Sequence, residues 1–270
     1  MDPLANIAMS AARAGGAVAL RGLNRLDDLH IERKRHNDFV SEIDRRAEQV
    51  IIETIRKAHP DHTILAEESG AGGAVESDYQ WIVDPLDGTT NYIHGFPVFS
   101  VSIAVVERGR LAHGVVYDPL REEMFVASRG RGALLNDRRI RMASRRDLQG
   151  ALIGTGFPFR DFSDLDDYLS MLRAVIEDSG GVRRAGSAAL DLAWLAAGRL
   201  DGFFELDLKP WDIAAGCLLI EEAGGEFGDL SGKPGWPVAG GNILAGNPRV
   251  YAALARTIAP HLPKGVRRNT

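Results

Sequence analysis

The chain has 270 residues, 45% of them hydrophobic and 26% charged, with a formal net charge of −5. That is the profile of a globular protein large enough for one big domain or two fused halves, and its negative balance excludes bulk attraction to nucleic acid. Cys217 is the one cysteine, so no intrachain disulfide can form, and Met1 to Ser10 hold no basic segment ahead of an apolar one; with no apolar run near the roughly 20 residues of a membrane span, a cytoplasmic protein with no membrane partner is expected.

Taken in chain order, Ile7, Ala11, Ala14, Val18 and Leu23 recur at helical spacing and predict a helix over 3–25. Val40, Ile43, Ala47, Val50 and Ile51 predict a second over 41–59, opened by a capping-box-like Ser41-x-x-Asp44 and stopped by Pro60. Residues 63–66 and 80–83 read as strands. From 98 to 127 short apolar runs joined by tight turns, Arg108-Gly109 among them, predict antiparallel strands. The first half is therefore read as helices packed on a mainly antiparallel sheet.

The second half alternates. Strands are expected at 152–155, 202–205, 227 and 243–245. Helices are expected at 165–176, 187–197 (ended by Gly198), 213–223 (ended by Gly224-Gly225) and 249–258. Alternating α and β predicts a layered α/β unit. With no Ser/Gly/Pro-rich linker, the whole chain, 1–270, reads as one domain of two subdomains, about 1–145 and 146–270.

The chemistry concentrates where strand 80–83 meets Asp84-Pro85-Leu86-Asp87-Gly88-Thr89-Thr90-Asn91. Two carboxylates three positions apart, at the end of an apolar run, are hard oxygen donors suited to Mg²⁺. The Gly88-Thr89-Thr90 turn offers backbone amides to a phosphate. By itself Asp-x-x-Asp reads more readily as a turn plus a helix N-cap; following Trp81-Ile82-Val83 and preceding Gly88-Thr89-Thr90, it reads as a metal pair. Glu67 follows the neighbouring strand, so adjacent strand ends bring Glu67, Asp84 and Asp87 together. Asp212 opens the helix at 213, either as an N-cap or as a fourth carboxylate closing a cleft between the halves. No Cys/His spacing suggests zinc. Cys217 lies on an apolar helix stripe and reads as core, and His94 as a loop hydrogen-bonder. Asp191 and Trp194 read as structural, Trp194 in packing or a subunit contact. An arginine-rich stretch (Arg129, Arg131, Arg138, Arg139, Arg141, Arg145, Arg146) is a solvated surface or a docking patch for an acidic partner or RNA.

Trp81-Ile-Val-Asp-Pro-Leu-Asp-Gly-Thr-Thr-Asn91, Trp211-Asp-Ile-Ala-Ala-Gly216 with Glu221-Glu-Ala-Gly-Gly225, and Glu67-Glu68-Ser69 together resemble the inositol monophosphatase family of magnesium-dependent, lithium-sensitive phosphatases. The similarity runs through nearly the entire chain. Thr155-Gly-Phe-Pro-Phe159, Arg184 to Leu192 and Gly198 to Glu205 resemble especially its bacterial, SuhB-like branch, which also joins ribosomal RNA antitermination complexes through NusA and RNA polymerase. The resemblance implies an α/β (α+β) fold, a layered αβαβα sandwich, and commonly a homodimer. It implies that Glu67, Asp84 and the Leu86 carbonyl hold one Mg²⁺ and that Asp84, Asp87 and Asp212 hold a second, with a third, weaker ion near Glu67. By the same resemblance Gly88 and Thr89 bind phosphate, and Asp44 with Thr89 activates water. Gly186, Ser187, Ala188 and Glu205, together with Asp87 and Asp212, receive the polyol. Ser187 stands where some relatives have threonine, and Arg33 or Lys34 lies near the position of a family lysine.

The expected activity is hydrolysis of a small phosphate monoester, inositol 1-phosphate first, with metal-activated water attacking in line and no covalent enzyme intermediate. Fructose 1,6-bisphosphate, histidinol phosphate, NADP(H) and 3′-phosphoadenosine 5′-phosphate belong to relatives with the same core and stay open. So does a role as a transcription-complex component in which binding outweighs catalysis.

Overall fold

A computed structural model describes residues 2–26, 42–73, 77–158, 161–235 and 240–267, and the backbone of 31–35 and 38–41. Helix α1 (Pro3–Leu23) starts at Asp2, whose carboxylate accepts the Leu4 amide at 2.9 Å. Its inner face is almost all alanine and glycine, which lets it lie close to α2 (Glu42–Ala58): a Cβ on Gly15 would come within 2.6 Å of Ile51. A hairpin of β1 (Ile31–Arg35) and β2 (Asp38–Ser41) precedes α2.

Eight strands form the first sheet, in the order β10-β9-β8-β7-β6-β5-β3-β4. They are β3 (Thr63–Ala66), β4 (Gly70–Gly72), β5 (Tyr79–Asp87), β6 (Ser100–Glu107), β7 (Arg110–Asp118), β8 (Glu123–Ser128), β9 (Gly132–Leu135) and β10 (Arg138–Arg139). Among the described residues of this sheet only β3 and β5 pair in parallel, with Ala66 opposite Val83. The β6–β7 turn carries positive φ at both Arg108 and Gly109, the twist-matched hairpin geometry. The second sheet has five strands in the order β12-β11-β13-β15-β14: β11 (Leu152–Thr155), β12 (Gly181–Arg183), β13 (Gly202–Leu208), β14 (Glu226–Gly228) and β15 (Gly241–Gly246).

Period-2 alternation along the strands sorts the core into layers. Trp81 and Val83 face the alanines of α1 together with Ile51 and Ile55 of α2. Ile82, between them, faces the opposite way, toward α5 (Ala188–Ala196) and α6 (Pro210–Glu222). Those two helices also receive Phe203 and Ala245 from the second sheet. Phe204, next to Phe203, turns outward onto α4 (Leu165–Asp178) and α7 (Pro248–Ile258). The layers are thus α1/α2, the large sheet, α5/α6, the small sheet, and α4/α7, the αβαβα sandwich expected. A helix between two sheets needs apolar surface all round, and residues 212–220 of α6 are all buried. Cys217 is among them. A 3₁₀ turn (Ala259–His261) and a short α8 (Lys264–Arg267) close the described chain. Among the described residues no helix is long and apolar enough to cross a membrane.

Near the site, boundaries differ from the sequence reading. Strand β5 does not end before Asp84 but runs on to Asp87. Its register against β6 slips between Asp84 and Asp87, so Pro85, which has no N–H to donate, sits in a bulge. Helix α6 begins at Pro210, so Asp212 is its third residue and not its opening cap. Thr89–Ile93 is a short helix, α3, opened by Gly88. The short strands β4, β9, β10 and β12 have too few residues to display a period. Part of the arginine-rich stretch is engaged locally: Arg145 Nε pairs with Asp201 at 3.0 Å, and Arg139 donates to the Arg131 carbonyl.

Candidate active site

Asp84, Asp87 and Asp212 offer carboxylate oxygens that all lie within 4.8 Å of one another. They sit in the wall of a cavity of about 430 Å³ lined also by Glu67, Leu86, Gly88, Thr89, Gly186, Ser187, Ala188 and Glu205. The carboxylates predicted at the ends of β3 and β5 and at the head of α6 are therefore brought to one cleft. Glu67 shares the cavity, although among the described residues the 4.8 Å span takes in only the three aspartates.

Each aspartate is held from its own side. The β5 bulge turns Asp84 inward, where Oδ1 accepts the Leu86 amide at 2.9 Å. Asp87 Oδ2 accepts the Ser187 hydroxyl at 2.5 Å and the Ala189 amide at 2.9 Å, so the start of α5 clasps it. Asp212 Oδ2 accepts the Lys209 amide at 2.6 Å, the N3 half of a capping box. On the Glu67 side, the backbone leaves β3 with the Glu67 amide bonded to the Val83 carbonyl at 3.1 Å.

Electrostatics sets these groups apart from ordinary surface acids. Burial, then the charges of Glu67, Asp87 and Asp212, push Asp84 well above the usual carboxylate range. Burial and Asp212 raise Asp87 to about 7, against the opposing pull of the Ser187 hydroxyl and α5 amides. Among the described residues the donors reaching Asp84 and Asp87 are amides and a hydroxyl, none of them charged. Three clustered carboxylates, two of them buried, whose charges oppose one another are what a hard divalent cation offsets, and the site fits one.

Thr89 Oγ1 donates to Asp44 Oδ1 at 2.8 Å and lies 3.1 Å from the Leu86 carbonyl. Asp44, buried on α2, is thus joined to the cavity through Thr89. Gly88 has φ +93°, and a Cβ there would press on the Val98 carbonyl at 2.9 Å, so the turn into α3 requires glycine. Gly186 (φ +89°) and Ser187, the N-cap of α5, face it from the second half. The Ser187 hydroxyl, read from sequence as a polyol contact, is buried and bonded to Asp87. Glu205 reaches the cavity from β13, raised well above the usual range by burial and then by Asp191, with Arg184 opposing. The side chains of Arg33 and Lys34 lie outside the described residues.

Two residues of the site carried no role in the sequence reading. Asn91 Nδ2 donates to the carbonyls of Val98 and Ala185, at 2.8 Å each, and so ties the Asp-Gly-Thr-Thr turn to the loop before Gly186. Arg184 lines the cavity with its guanidinium 5.2 Å over the Phe157 ring. Asn91 ends the motif, a signal for the first, and Arg184 opens the segment 184–192 that carries part of the resemblance, a signal for the second. His94, read as a loop residue, also lines the cavity.

The Inositol monophosphatase family model matches residues 1–263. The chain belongs to the inositol monophosphatase family. Members of this family are metal-dependent phosphatases, in keeping with the aspartate cluster. Among relatives of this family, Nus factor SuhB of Pseudomonas aeruginosa is 52% identical over 99% of this chain and 100% of its own. Nus factor SuhB of Escherichia coli is 47% identical over 99% and 100%. The crystal structure of extragenic suppressor protein suhB from Bartonella henselae superposes with a TM-score of 0.89 at 41% identity, covering 95% of this chain and 98% of that one. Inositol monophosphatase from Anabaena follows the same fold with a TM-score of 0.81 at 38% identity over 97% and 98%.

Proposed function

We propose that this chain is a Mg²⁺-dependent phosphomonoesterase that hydrolyses myo-inositol monophosphates to inositol and phosphate. The observation that carries the reading is the trio of aspartates within 4.8 Å in a cavity lined also by Gly186, Ser187, Ala188 and Glu205. Glu67, Asp84, the Leu86 carbonyl, Asp87 and Asp212 would hold the metal. Bound there, Mg²⁺ would lower the pKa of a water and draw charge from the phosphoryl oxygens.

The chain's own groups do the rest. Asp44 accepts a hydrogen bond from the Thr89 hydroxyl, so the Thr89 oxygen can in turn accept one from the attacking water and aim it. The Gly88–Thr89 turn receives the phosphate, while Glu205 and the Gly186–Ala188 loop orient the polyol hydroxyls. Cys217 is buried and its thiol is pushed far up by burial, so it has no part as a nucleophile.

Phosphate release from a panel of inositol 1-phosphate, fructose 1,6-bisphosphate, histidinol phosphate, 3′-phosphoadenosine 5′-phosphate and NADP, with and without Mg²⁺ and Li⁺, tests this. Mg²⁺-dependent, Li⁺-inhibited preference for inositol 1-phosphate is expected. Preference for another ester keeps the mechanism and reassigns the substrate.

The name Nus factor carried by the relatives favours a second role, in a NusA-containing transcription antitermination complex. NusA retained by both wild type and Asp84→Asn would separate that role from catalysis; no retention by wild type removes it. A homodimer is the expected assembly, read by light scattering.

A further inference from the structure

We propose that Glu48 is a positioning residue for Glu67, which makes α2 the element that aligns the metal-side carboxylate with the water-side pair; this rests on the metal-dependent reading above. Glu48 is 4% exposed and its carboxylate is spent on one short segment. Oε2 accepts the Glu68 amide at 2.8 Å and Oε1 the Ser69 amide at 2.9 Å. With the Glu67 amide on the Val83 carbonyl, three consecutive amides are pinned, one to β5 and two to α2. The Glu67 side chain leaves the backbone between those anchors, toward the cavity.

Asp44 lies four residues earlier on α2, hence on the same face one turn away, and bonds to Thr89. One helix face therefore addresses both sides of the site. The chemistry of the anchor matters. Desolvating a carboxylate is costly and is offset here by two charge-assisted hydrogen bonds. Two adjacent amides need two acceptor oxygens. A glutamine supplies only one, and its NH₂ would meet an N–H.

The test is calorimetric titration of Mg²⁺ into metal-free full-length protein, for wild type, Glu48→Gln, Glu67→Gln and the double variant, with thermal melts of each. Outer partners of metal ligands are typically worth about 10- to 100-fold in metal affinity. Glu48→Gln is expected to weaken one class of Mg²⁺ site by that amount, the class that Glu67→Gln also weakens. The double variant should bind no worse than Glu67→Gln alone, because Glu48 acts through Glu67. The metal-free variant should still melt cooperatively, a few degrees below wild type because one amide loses its acceptor, and kcat should recover at high Mg²⁺.

Wild-type affinity in Glu48→Gln overturns the inference alone, as does an additive loss in the double variant. A wild type that binds no Mg²⁺, or is indifferent to Glu67→Gln, overturns the metal reading and this inference together. Should Glu48→Gln fail to fold, Glu48→Asp, one methylene too short to reach both amides, carries the same comparison.

Discussion

Thr89 and Asp44, 45 positions apart in sequence, meet through a 2.8 Å hydrogen bond in which the threonine donates. The bond leaves the Thr89 oxygen with lone pairs aimed at the cavity while its proton is occupied. If that pair aims the attacking water, Asp44→Asn should lower kcat by about 10²- to 10⁴-fold and leave KM within about a factor of three, since ground-state binding is untouched. Steady-state kinetics at saturating Mg²⁺ reads the split. An effect confined to KM would contradict the assignment.

Asp84 lies at the centre of the acidic cluster, its charge opposed by three carboxylates. Asp84→Asn relieves that repulsion and removes a donor oxygen. Turnover should vanish even at high Mg²⁺, while the metal-free chain melts at or above the metal-free wild-type temperature, because a buried carboxylate facing three others is gone. Near-normal phosphate release by this variant would sink the metal assignment.

Gly156 lies against Glu205, so that a Cβ added there would fall on the Glu205 carboxylate. Gly156→Ala should push Glu205 out of place and raise KM for inositol 1-phosphate by about tenfold or more, about 1.4 kcal/mol of binding, with metal affinity unchanged. Equal KM values for the two proteins would remove Glu205 from the polyol side.

Asn91 bridges two carbonyls from opposite halves, Val98 and Ala185. Asn91→Ala strips both of their donor, and the Val98 carbonyl, on the buried one of the two residues, costs about 1–3 kcal/mol when left unpaired. Urea unfolding should register a loss in that range, accompanied by a higher KM as the Gly186 loop loosens.

His62 accepts the Trp81 indole N–H at 3.0 Å and stacks on His59 and Tyr79. Burial, then the neighbouring His59, lower its pKa below 6.5. A histidine that is harder to protonate when folded contributes stability above pH 6.5, and that contribution is lost as pH falls through 6.5 toward its folded value. The melting temperature should therefore drop between pH 7.5 and 5.0, and drop less in His62→Gln. Identical pH profiles would assign the acid sensitivity elsewhere.

Local sequence determined a good deal of this protein. Helical spacing in residues 3–23, the tight turn at Arg108-Gly109 and the buried runs of β5 and β6 depend on neighbours a few residues away, and they were legible for that reason. The aspartates, glycines and threonines of the 84–90 motif were legible because their types and order are already chemistry. The resemblance to a family added the pairing of Asp84 with Asp212, which no short-range pattern could supply. Only the tertiary structure decided which side chains hold the others. The bulge that turns Asp84 and Asp87 inward arises from pairing with β6. Ser187 bonds Asp87 across 100 residues, and Glu48 reaches the Glu67 loop across about 20. These contacts are made by long-range packing of α2, β5 and α5. A carboxylate's partner depends on what the fold brings beside it, and the residues on either side of it in the chain carry no record of that.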